Sequence, residues 1–273
     1  MEAFALVYNS EAEWGQKVVH LEDGPELETS NAIYKAGQEV SVLGIAKLAS
    51  RRPLGVIFGA GKVGRGFLAQ LLNRAGWDFS VVDSHAETVE KLRSNEDWGV
   101  FNLSSGDTER LKAKEIMHID ENLESVMQNA ALLLTAMGAN QLTEWADSIR
   151  KPLCNRLRHG KIDLILAENH PRPATAVREA LLKGAGDIEV MLIENNLGIA
   201  QAQVLRSCIE PTEEQHPLTI QVQDHWTLPL DGDALQTRIA IEGFELKPNF
   251  DFSADTGGWL HLYLTDFKLN VVK

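Results

Sequence analysis

Short apolar runs alternate with longer segments of helical periodicity along most of this chain. The runs are apolar at nearly every position, as in strands that are buried on both faces of a parallel sheet. The predicted strands are residues 54–58, 79–82, 131–135, 162–167 and 188–193. The predicted helices are residues 63–75, 86–94, 122–129, 142–158 and 175–183. Because strand and helix alternate strictly, the pattern predicts the α/β class, with right-handed crossovers and a doubly wound, mostly parallel sheet.

The alternation does not cover the whole chain, and the exceptions suggest three parts. Residues 1–50 are acidic, have short apolar pieces without a clear period, and are predicted to form an N-terminal extension. Residues 51–205 carry the alternation, with one or two further strands expected in 100–118. Over residues 206–273 the rhythm changes, and a different substructure is expected there. Its strand candidates, which have no helix between them, are residues 218–222 and 238–241.

The first predicted strand leads directly into a glycine-rich turn at residues 59–64. Gly59 permits a sharp strand-to-helix turn, because it can take backbone angles that a Cβ forbids. Gly61 leaves room for a pyrophosphate to approach the main chain, and Gly64 lets the following helix pack close to the strand. The turn therefore predicts a dinucleotide-binding site on a Rossmann sheet.

Two further features complete the dinucleotide pattern. The free N–H groups and the positive dipole end of a helix that opens near Lys62 and Val63 favour phosphate oxygens. The next predicted strand leads to Asp83, about 20 residues beyond the last glycine, where a carboxylate accepts the hydroxyls of the adenosine ribose. Since that carboxylate repels a 2′-phosphate, we predict NAD, although Arg65 and His85 are nearby cations that could accommodate the phosphate of NADP. The alternative is a structural glycine turn in another kind of α/β domain.

Composition and charge narrow the range of partners. The formal net charge of −13 argues against nucleic acid and anionic membrane surfaces, because an acidic surface repels phosphate. Cys154 and Cys208 form no disulfide framework and fit a reducing compartment. No apolar run of about 18 residues and no basic N-terminal region occurs, so neither a membrane span nor a secretory signal is expected. We expect a cytoplasmic protein with a small-molecule partner.

Polar residues also follow other predicted strands, at the edge where an open α/β sheet binds its ligands. Thr135 and Gly138 belong to the turn after residues 131–135 and are expected near the nicotinamide half of the cofactor, unless they form a simple strand-to-helix turn. Asn169 follows residues 162–167, where its amide could donate to a substrate oxygen on which charge develops. The alternative for Asn169 is a solvated loop in which it caps backbone groups.

Candidates beyond these are fewer. Residues 194–198 follow the last predicted strand and are expected on the same ligand side. Arg206 is a candidate for holding an anionic substrate group, because its fork suits phosphate or carboxylate, and a surface arginine is the alternative. No His/Cys cluster has metal-ligand spacing, so no metal is predicted, although His225 and His261 occur singly.

Four segments together resemble the mannitol dehydrogenase family, the polyol-specific long-chain dehydrogenases. They are residues 58–67, 135–138, 167–170 and 241–246, and the resemblance extends from about Leu54 to about Phe250. Residues 64–67, which end the glycine turn, are the most specific part. The resemblance implies NAD-dependent interconversion of a sugar alcohol, or its phosphate, and a ketose without a metal. It also implies a mostly helical C-terminal substrate domain.

The resemblance also assigns catalytic roles. Asn169 matches the family amide that polarises the substrate oxygen. Lys268 falls near the place of the family's general base, a lysine in a Lys-x4-Asn-x2-His motif. This chain departs from the motif, because Lys273 takes the asparagine's place and no histidine follows, and Leu205 replaces the aspartate of an Asp-Arg pair. The C-terminal substrate domain is therefore expected to be truncated or divergent.

Three functions remain open from the sequence. The first is an NAD-dependent dehydrogenase that interconverts a sugar alcohol (phosphate) and a ketose (phosphate), for example mannitol 1-phosphate and fructose 6-phosphate. The second is a non-catalytic NAD(H)-binding module, or a fragment that lacks the catalytic helical domain. The third is a Rossmann enzyme of other chemistry, such as an epimerase, which is disfavoured because no tyrosine–lysine pair of the usual spacing occurs. The oligomeric state is not predicted.

Overall fold

The computed structural model describes residues 52–95, 97–212, 215–237, 239, 241–248 and 250, and the backbone of four short strands before them. The chain divides into two units, residues 1–52 and residues 53–273. In the first unit β1 (Phe4–Leu6) pairs antiparallel with β2 (Val18–His20), and β3 (Glu26–Thr29) pairs antiparallel with β4 (Ala32–Lys35).

The second unit contains the helices that the alternation predicts and four of its five predicted strands, with additions. Its strands are β5 (Leu54–Phe58), β6 (Asp78–Asp83), β7 (Trp98–Asn102), β8 (Thr108–Leu111), β9 (Ile116–His118), β10 (Ala130–Thr135), β11 (Ile162–Leu166), β12 (Leu197–Gln201), β13 (Cys208–Ile209), β14 (Ile220–Val222), β15 (Leu228–Asp231) and β16 (Phe244–Lys247). Its α-helices are α1 (Ala69–Arg74), α2 (Ala86–Asn95), α3 (Glu124–Asn129), α4 (Leu142–Leu157), α5 (Pro173–Leu182) and α6 (Asp187–Asn196). A π-helical segment, Gly64–Leu68, precedes α1, and a short 3-10 turn, Ala139–Gln141, precedes α4.

Six of these strands form a parallel sheet in the order β12-β11-β10-β5-β6-β9. The chain winds outward from β5 through β6 to β9, then returns to place β10 on the other side of β5. The direction of winding therefore reverses between β5 and β10, which is the point where a doubly wound sheet binds its ligand. The predicted α/β class and the mostly parallel Rossmann sheet are confirmed.

Both faces of this sheet are covered, which explains why its strands are apolar at almost every position. On β5, Val56 and Phe58 enter a core that also contains side chains of α3, α4, α5 and α6. Ile57, between them, enters the opposite core with side chains of α1 and of a second sheet. All three side chains are at most 1% exposed.

The second sheet contains four strands in the order β13-β14-β7-β8. The stretch in which one or two further strands were expected holds three, β7, β8 and β9, of which β9 belongs to the parallel sheet. The second sheet packs on the helix that follows the glycine turn. Trp98 of β7 lies edge-on to Phe79, with 5.8 Å between ring centroids, and its indole N–H donates to the Arg65 carbonyl. A Cβ on Gly66 would lie 2.5 Å from Cγ2 of Ile220, so this glycine permits the close contact between helix and sheet.

The predicted strand at residues 188–193 is wrong, because this segment belongs to α6. A six-residue apolar run does not distinguish a strand from a buried helix by its period. The residues at the start of the segment favour a helix. The Gly186 N–H donates to the Glu189 carboxylate at 3.0 Å. Asp187 and Glu189 also place negative charge in the first turn. The sixth strand of the sheet is instead β12, which follows the helix directly.

The predicted strand at residues 238–241 is also not found where the chain is described, since Ile239 and Ile241 lie outside any strand. Their side chains nevertheless pack on the core. The carboxylate of Asp163, which is fully buried in β11, accepts the backbone N–H groups of Gln236 (2.6 Å) and Thr237 (3.0 Å). These bonds hold Gln236 and Thr237, which precede the predicted strand, as a loop against β11. The two N–H groups therefore do not take part in strand pairing. The strand that follows is β16, which pairs parallel with β15.

Candidate functional site

A cavity of about 710 Å³ opens at the carboxyl edge of the parallel sheet, where the winding reverses. Its walls are the glycine turn after β5, the end of β6, the loop after β10 and the first turns of α4. The second sheet adds Glu210, which follows β13. Of the residues selected from the sequence, Gly59, Gly61, Lys62 and Asp83 line this cavity.

The glycine turn is fixed by close backbone contacts. Gly59 has a φ of 108°, and a Cβ there would lie 2.4 Å from the Ala136 carbonyl oxygen. A Cβ on Gly64 would lie 1.9 Å from the Gly59 carbonyl oxygen. Both positions therefore require glycine, for the turn itself and for the close packing of helix on strand. Gly64 is buried and Val63 packs against the core, so neither residue lines the cavity.

Gly61 differs from the other two glycines, because the nearest atom to its Cβ position is the Ala136 carbonyl oxygen at 3.9 Å. The space beside it lies in front of the helix that begins at Lys62. The first N–H groups of that helix have no partners within it, and they carry its positive dipole end. The open space at Gly61 lies next to these N–H groups, and a Cβ would begin to fill it. Such a space fits the pyrophosphate of a dinucleotide.

This arrangement predicts the effect of Gly61→Ala. The protein should fold with a melting temperature close to that of the wild type, since the Cβ meets no atom closer than 3.9 Å. NADH binding should weaken by about tenfold or more, because the methyl group occupies the approach of the pyrophosphate. A fluorescence titration with NADH, together with thermal unfolding, measures both quantities. Unchanged NADH affinity would show that the cofactor does not approach this backbone.

Asp83 ends β6, and its carboxylate is tied to the glycine turn. Oδ2 accepts the Ala60 N–H at 2.5 Å, and Oδ1 accepts the His85 N–H at 2.7 Å, with His85 Nδ1 at 3.1 Å. The side chain is 11% exposed and lines the cavity. Two carboxylate oxygens offer about four lone-pair positions, so acceptor capacity remains for a ribose hydroxyl.

The two cations that could favour NADP are both engaged with protein groups. His85 contacts the Asp83 carboxylate, as described above. Arg65 is buried, and its Nε and Nη1 donate to the carbonyls of Ala60 (2.7 Å) and Leu218 (2.9 Å). Burial lowers the pKa of Arg65. Both residues line the cavity together with Asp83. The Asp83 carboxylate would repel a 2′-phosphate, which favours NAD.

Lys62 is half-exposed at the mouth of the cavity, with its Nζ 3.5 Å from Oε1 of Glu210. Both side chains line the cavity, so one acid and one base face the expected position of the pyrophosphate. An exposed pair of this kind contributes little to stability. Its effect is on the electrostatic potential at the phosphate site.

The loop after β10 is held by a residue that the sequence reasoning did not select. Both oxygens of Glu168 accept backbone N–H groups at 2.9 Å, Oε1 from Met137 and Oε2 from Gly138. Glu168 is 5% exposed, and burial raises the pKa of its carboxyl although these two bonds oppose the increase. Gly138 has a φ of 105°, and Thr135 is fully buried at the end of β10. The sequence signal that could have identified Glu168 as a site residue is its position directly after a predicted buried strand.

The catalytic and substrate candidates are less well assembled than the cofactor candidates. Asn169 lies on an exposed loop at the carboxyl edge of β11, next to Glu168, and it does not line the cavity. Lys268 lies outside the described residues. Residues 194–198 are not at the ligand edge as expected: Asn196 ends α6 and leads into the amino end of β12, which is the opposite edge of the sheet.

Arg206 lies between the glycine-turn helix and the second sheet, and not in the cavity. It is 3% exposed, and it donates to the Gln223 carbonyl and the Gln70 side chain, both at 2.8 Å. Its guanidinium carbon lies 4.0 Å from the centre of the Trp226 ring, and Arg74 approaches the same ring to 3.3 Å. Burial lowers the pKa of Arg206 to about 10. This placement is that of a packing residue and gives no support to a role in substrate binding.

We therefore expect Arg206→Lys to affect stability. Lysine keeps a charge but loses the planar fork, so the free energy of unfolding should fall by about 2 kcal/mol while the NADH dissociation constant stays unchanged. Urea unfolding and an NADH titration of the same preparation measure the two effects. A variant that is as stable as the wild type but impaired in substrate use would restore the substrate role.

Two negative findings apply to the described part of the chain. No group of three or more His, Cys, Asp or Glu side chains there is arranged to hold a metal ion. No helix within the same residues combines the length and the apolar composition that crossing a bilayer requires.

The sheet order, the glycine turn and the carboxylate at the end of β6 define a Rossmann-type dinucleotide-binding domain. The chain belongs to the mannitol dehydrogenase family: the sequence model of that family, described as "Mannitol dehydrogenase Rossmann domain", matches residues 55–243. The cofactor of this site is NAD.

Individual relatives agree with this assignment. The chain is 26% identical over 206 residues to a mannitol-1-phosphate 5-dehydrogenase of Thermoanaerobacter pseudethanolicus, which covers 72% of the chain and 52% of the relative. It is 25% identical over 229 residues to the enzyme of the same name from Lactococcus lactis subsp. lactis, with 78% and 59% covered. The chain thus spans about half the length of the curated relatives it matches.

A solved structure of octopine dehydrogenase in complex with NADH and agmatine superposes with a TM-score of 0.53 at 12% identity, covering 71% of this chain and 48% of that one. A likeness at this identity supports the Rossmann fold and nothing further.

Proposed function

We propose that this chain carries the cofactor site of an NAD-dependent dehydrogenase that interconverts a sugar alcohol or its phosphate and the corresponding ketose. The observation that carries the proposal is the cavity in which Gly61, the start of the helix at Lys62 and Asp83 converge. Relatives named mannitol-1-phosphate 5-dehydrogenase support the choice of mannitol 1-phosphate and fructose 6-phosphate as the pair to test first.

In this proposal each of the site residues has a defined role. The glycine turn and the helix start bind the pyrophosphate, and Asp83 accepts the adenosine ribose hydroxyls. When bound, NADH supplies the hydride that reduces the ketose carbonyl. Asn169 donates its amide N–H to the carbonyl oxygen as negative charge develops there. Lys268 would deliver the proton that this oxygen requires.

The test is single-turnover oxidation of NADH by stoichiometric amounts of the purified chain with fructose 6-phosphate. Binding is followed separately by quenching of tryptophan fluorescence, because Trp145 lines the cavity. Binding with oxidation supports the proposal, and Asn169→Ala and Lys268→Ala should then each reduce the oxidation rate without changing the NADH dissociation constant.

Binding without oxidation of NADH by this or other ketoses would favour a non-catalytic NAD(H)-binding module. One observation favours that alternative: Asn169 does not line the cavity described here. Absence of NADH binding would contradict both functions.

A further inference from the structure

The carboxylate of Glu168 links two loops at the carboxyl edge of the sheet. Glu168 follows β11, while the two N–H groups that it accepts, those of Met137 and Gly138, follow β10. The carboxylate uses one oxygen for each of two consecutive N–H groups, and it is almost fully buried. The loop after β10 is therefore held to the loop after β11 by two hydrogen bonds to one buried side chain.

The held loop is a wall of the cofactor cavity. Met137 and Ala136 line the cavity, and the Ala136 carbonyl oxygen is the atom closest to the Cβ positions of both Gly59 and Gly61. A change in this loop therefore reaches the place where the pyrophosphate passes toward the nicotinamide. Asp83, at the adenosine end, contacts the glycine turn and His85 instead.

We propose that Glu168 is a positioning residue for the reaction: it fixes the loop at Met137 and Gly138 in the shape that the nicotinamide end of the cofactor requires. Because Asn169 is the next residue, the same carboxylate sets the distance between the cofactor wall and the candidate substrate amide. This inference rests on the proposed function, since it assumes that NAD(H) occupies the cavity.

A second buried carboxylate, on the strand that precedes Glu168, provides a control. Asp163 of β11 also accepts two backbone N–H groups from a distant loop, those of Gln236 and Thr237. Asp163 lies at the other end of the strand and does not line the cavity. Both carboxylates are buried and accept two backbone N–H groups, and Asp163 accepts the Thr237 hydroxyl as well. They differ in whether the loop they hold belongs to the cofactor site.

The experiment compares Glu168→Gln, Glu168→Asp and Asp163→Asn with the wild type. For each protein it measures the melting temperature and the dissociation constants of NADH and of AMP, which contains the adenosine but not the nicotinamide half. Glutamine keeps the shape of Glu168 but offers one acceptor oxygen, and its NH₂ group opposes the second backbone N–H. Aspartate keeps both acceptors on a shorter side chain, and it serves as the second variant if Glu168→Gln does not fold.

In Glu168→Gln we expect NADH binding about tenfold weaker and AMP binding within about twofold of the wild type. Glu168→Asp should weaken NADH binding by less, again without an effect on AMP. Asp163→Asn should lower the melting temperature and leave both dissociation constants unchanged. NADH affinity like that of the wild type in both Glu168 variants, or equal losses for NADH and AMP, would overturn the positioning role. A wild-type chain that does not bind NADH would instead overturn the proposed function.

Discussion

Replacing Gly64 by alanine should destabilise the protein more than any other single methyl group added to the glycine turn. The new Cβ would lie 1.9 Å from the Gly59 carbonyl oxygen and 3.4 Å from Cγ2 of Ile57. The first contact is with backbone, so relief requires the helix to move away from β5. We expect the free energy of unfolding to fall by about 3 kcal/mol or more, with loss of NADH binding, as measured by urea unfolding and NADH titration.

Gly106→Ala is the matched control for this prediction. Gly106 has a φ of 76° and no atom within 4 Å of its Cβ position, so alanine there meets backbone strain alone. We expect a loss of about 1 kcal/mol and normal NADH binding. If Gly64→Ala were no less stable than Gly106→Ala, the close contact between helix and strand would not be present in solution.

Replacing Asp83 by asparagine should change the choice of cofactor. Asparagine has one acceptor oxygen, so its NH₂ group must oppose the N–H of either Ala60 or His85, which Asp83 now accepts on separate oxygens. The ribose hydroxyl also loses a charged acceptor. We therefore expect the NADH dissociation constant to rise by about tenfold or more. The NADPH dissociation constant should fall relative to that of NADH, because the negative charge that repels a 2′-phosphate is gone.

Titrations of Asp83→Asn with NADH and NADPH at fixed ionic strength test this prediction. The control is His85→Ala, which keeps the carboxylate and the backbone N–H of residue 85, and which should bind NADH within about twofold of the wild type. An Asp83→Asn variant with the wild-type preference for NADH would show that another group sets the cofactor choice.

Local sequence signals were sufficient for the parallel sheet and for the glycine turn and Asp83 of the cofactor site, but not for the second sheet. The strand at residues 54–58 and the glycine turn after it can be recognised from a short stretch of sequence. A buried strand, a positive φ and a close backbone contact each restrict the residue type at their positions. The run at residues 188–193 failed for the opposite reason. Its apolar pattern fits both a strand and a buried helix. The helix start is marked by the bond between Gly186 and Glu189, and a glycine followed three residues later by a glutamate is a weak signal in the sequence.

Two residues show what local reasoning misses. Arg206 was selected as an anion ligand because an arginine fork suits phosphate, but it packs against Trp226 and carbonyl groups contributed by distant segments. Glu168 is not among the residues that the sequence singles out, although it accepts the backbone N–H of Met137, 31 residues earlier. In both cases the partners come from segments that are not neighbours in the chain, and their spacing along the chain carries no information about the contact.

The sequence by itself determined the Rossmann sheet, the glycine turn and the carboxylate at Asp83, because each depends on residues that are neighbours in the chain or separated by one strand–helix unit. The tertiary structure decided the burial of Arg206, the second sheet that places Glu210 at the cavity, and the bonds of Glu168 to the loop after β10. These features depend on which strands become neighbours. Strand order follows from the packing of the whole sheet, which no local pattern specifies.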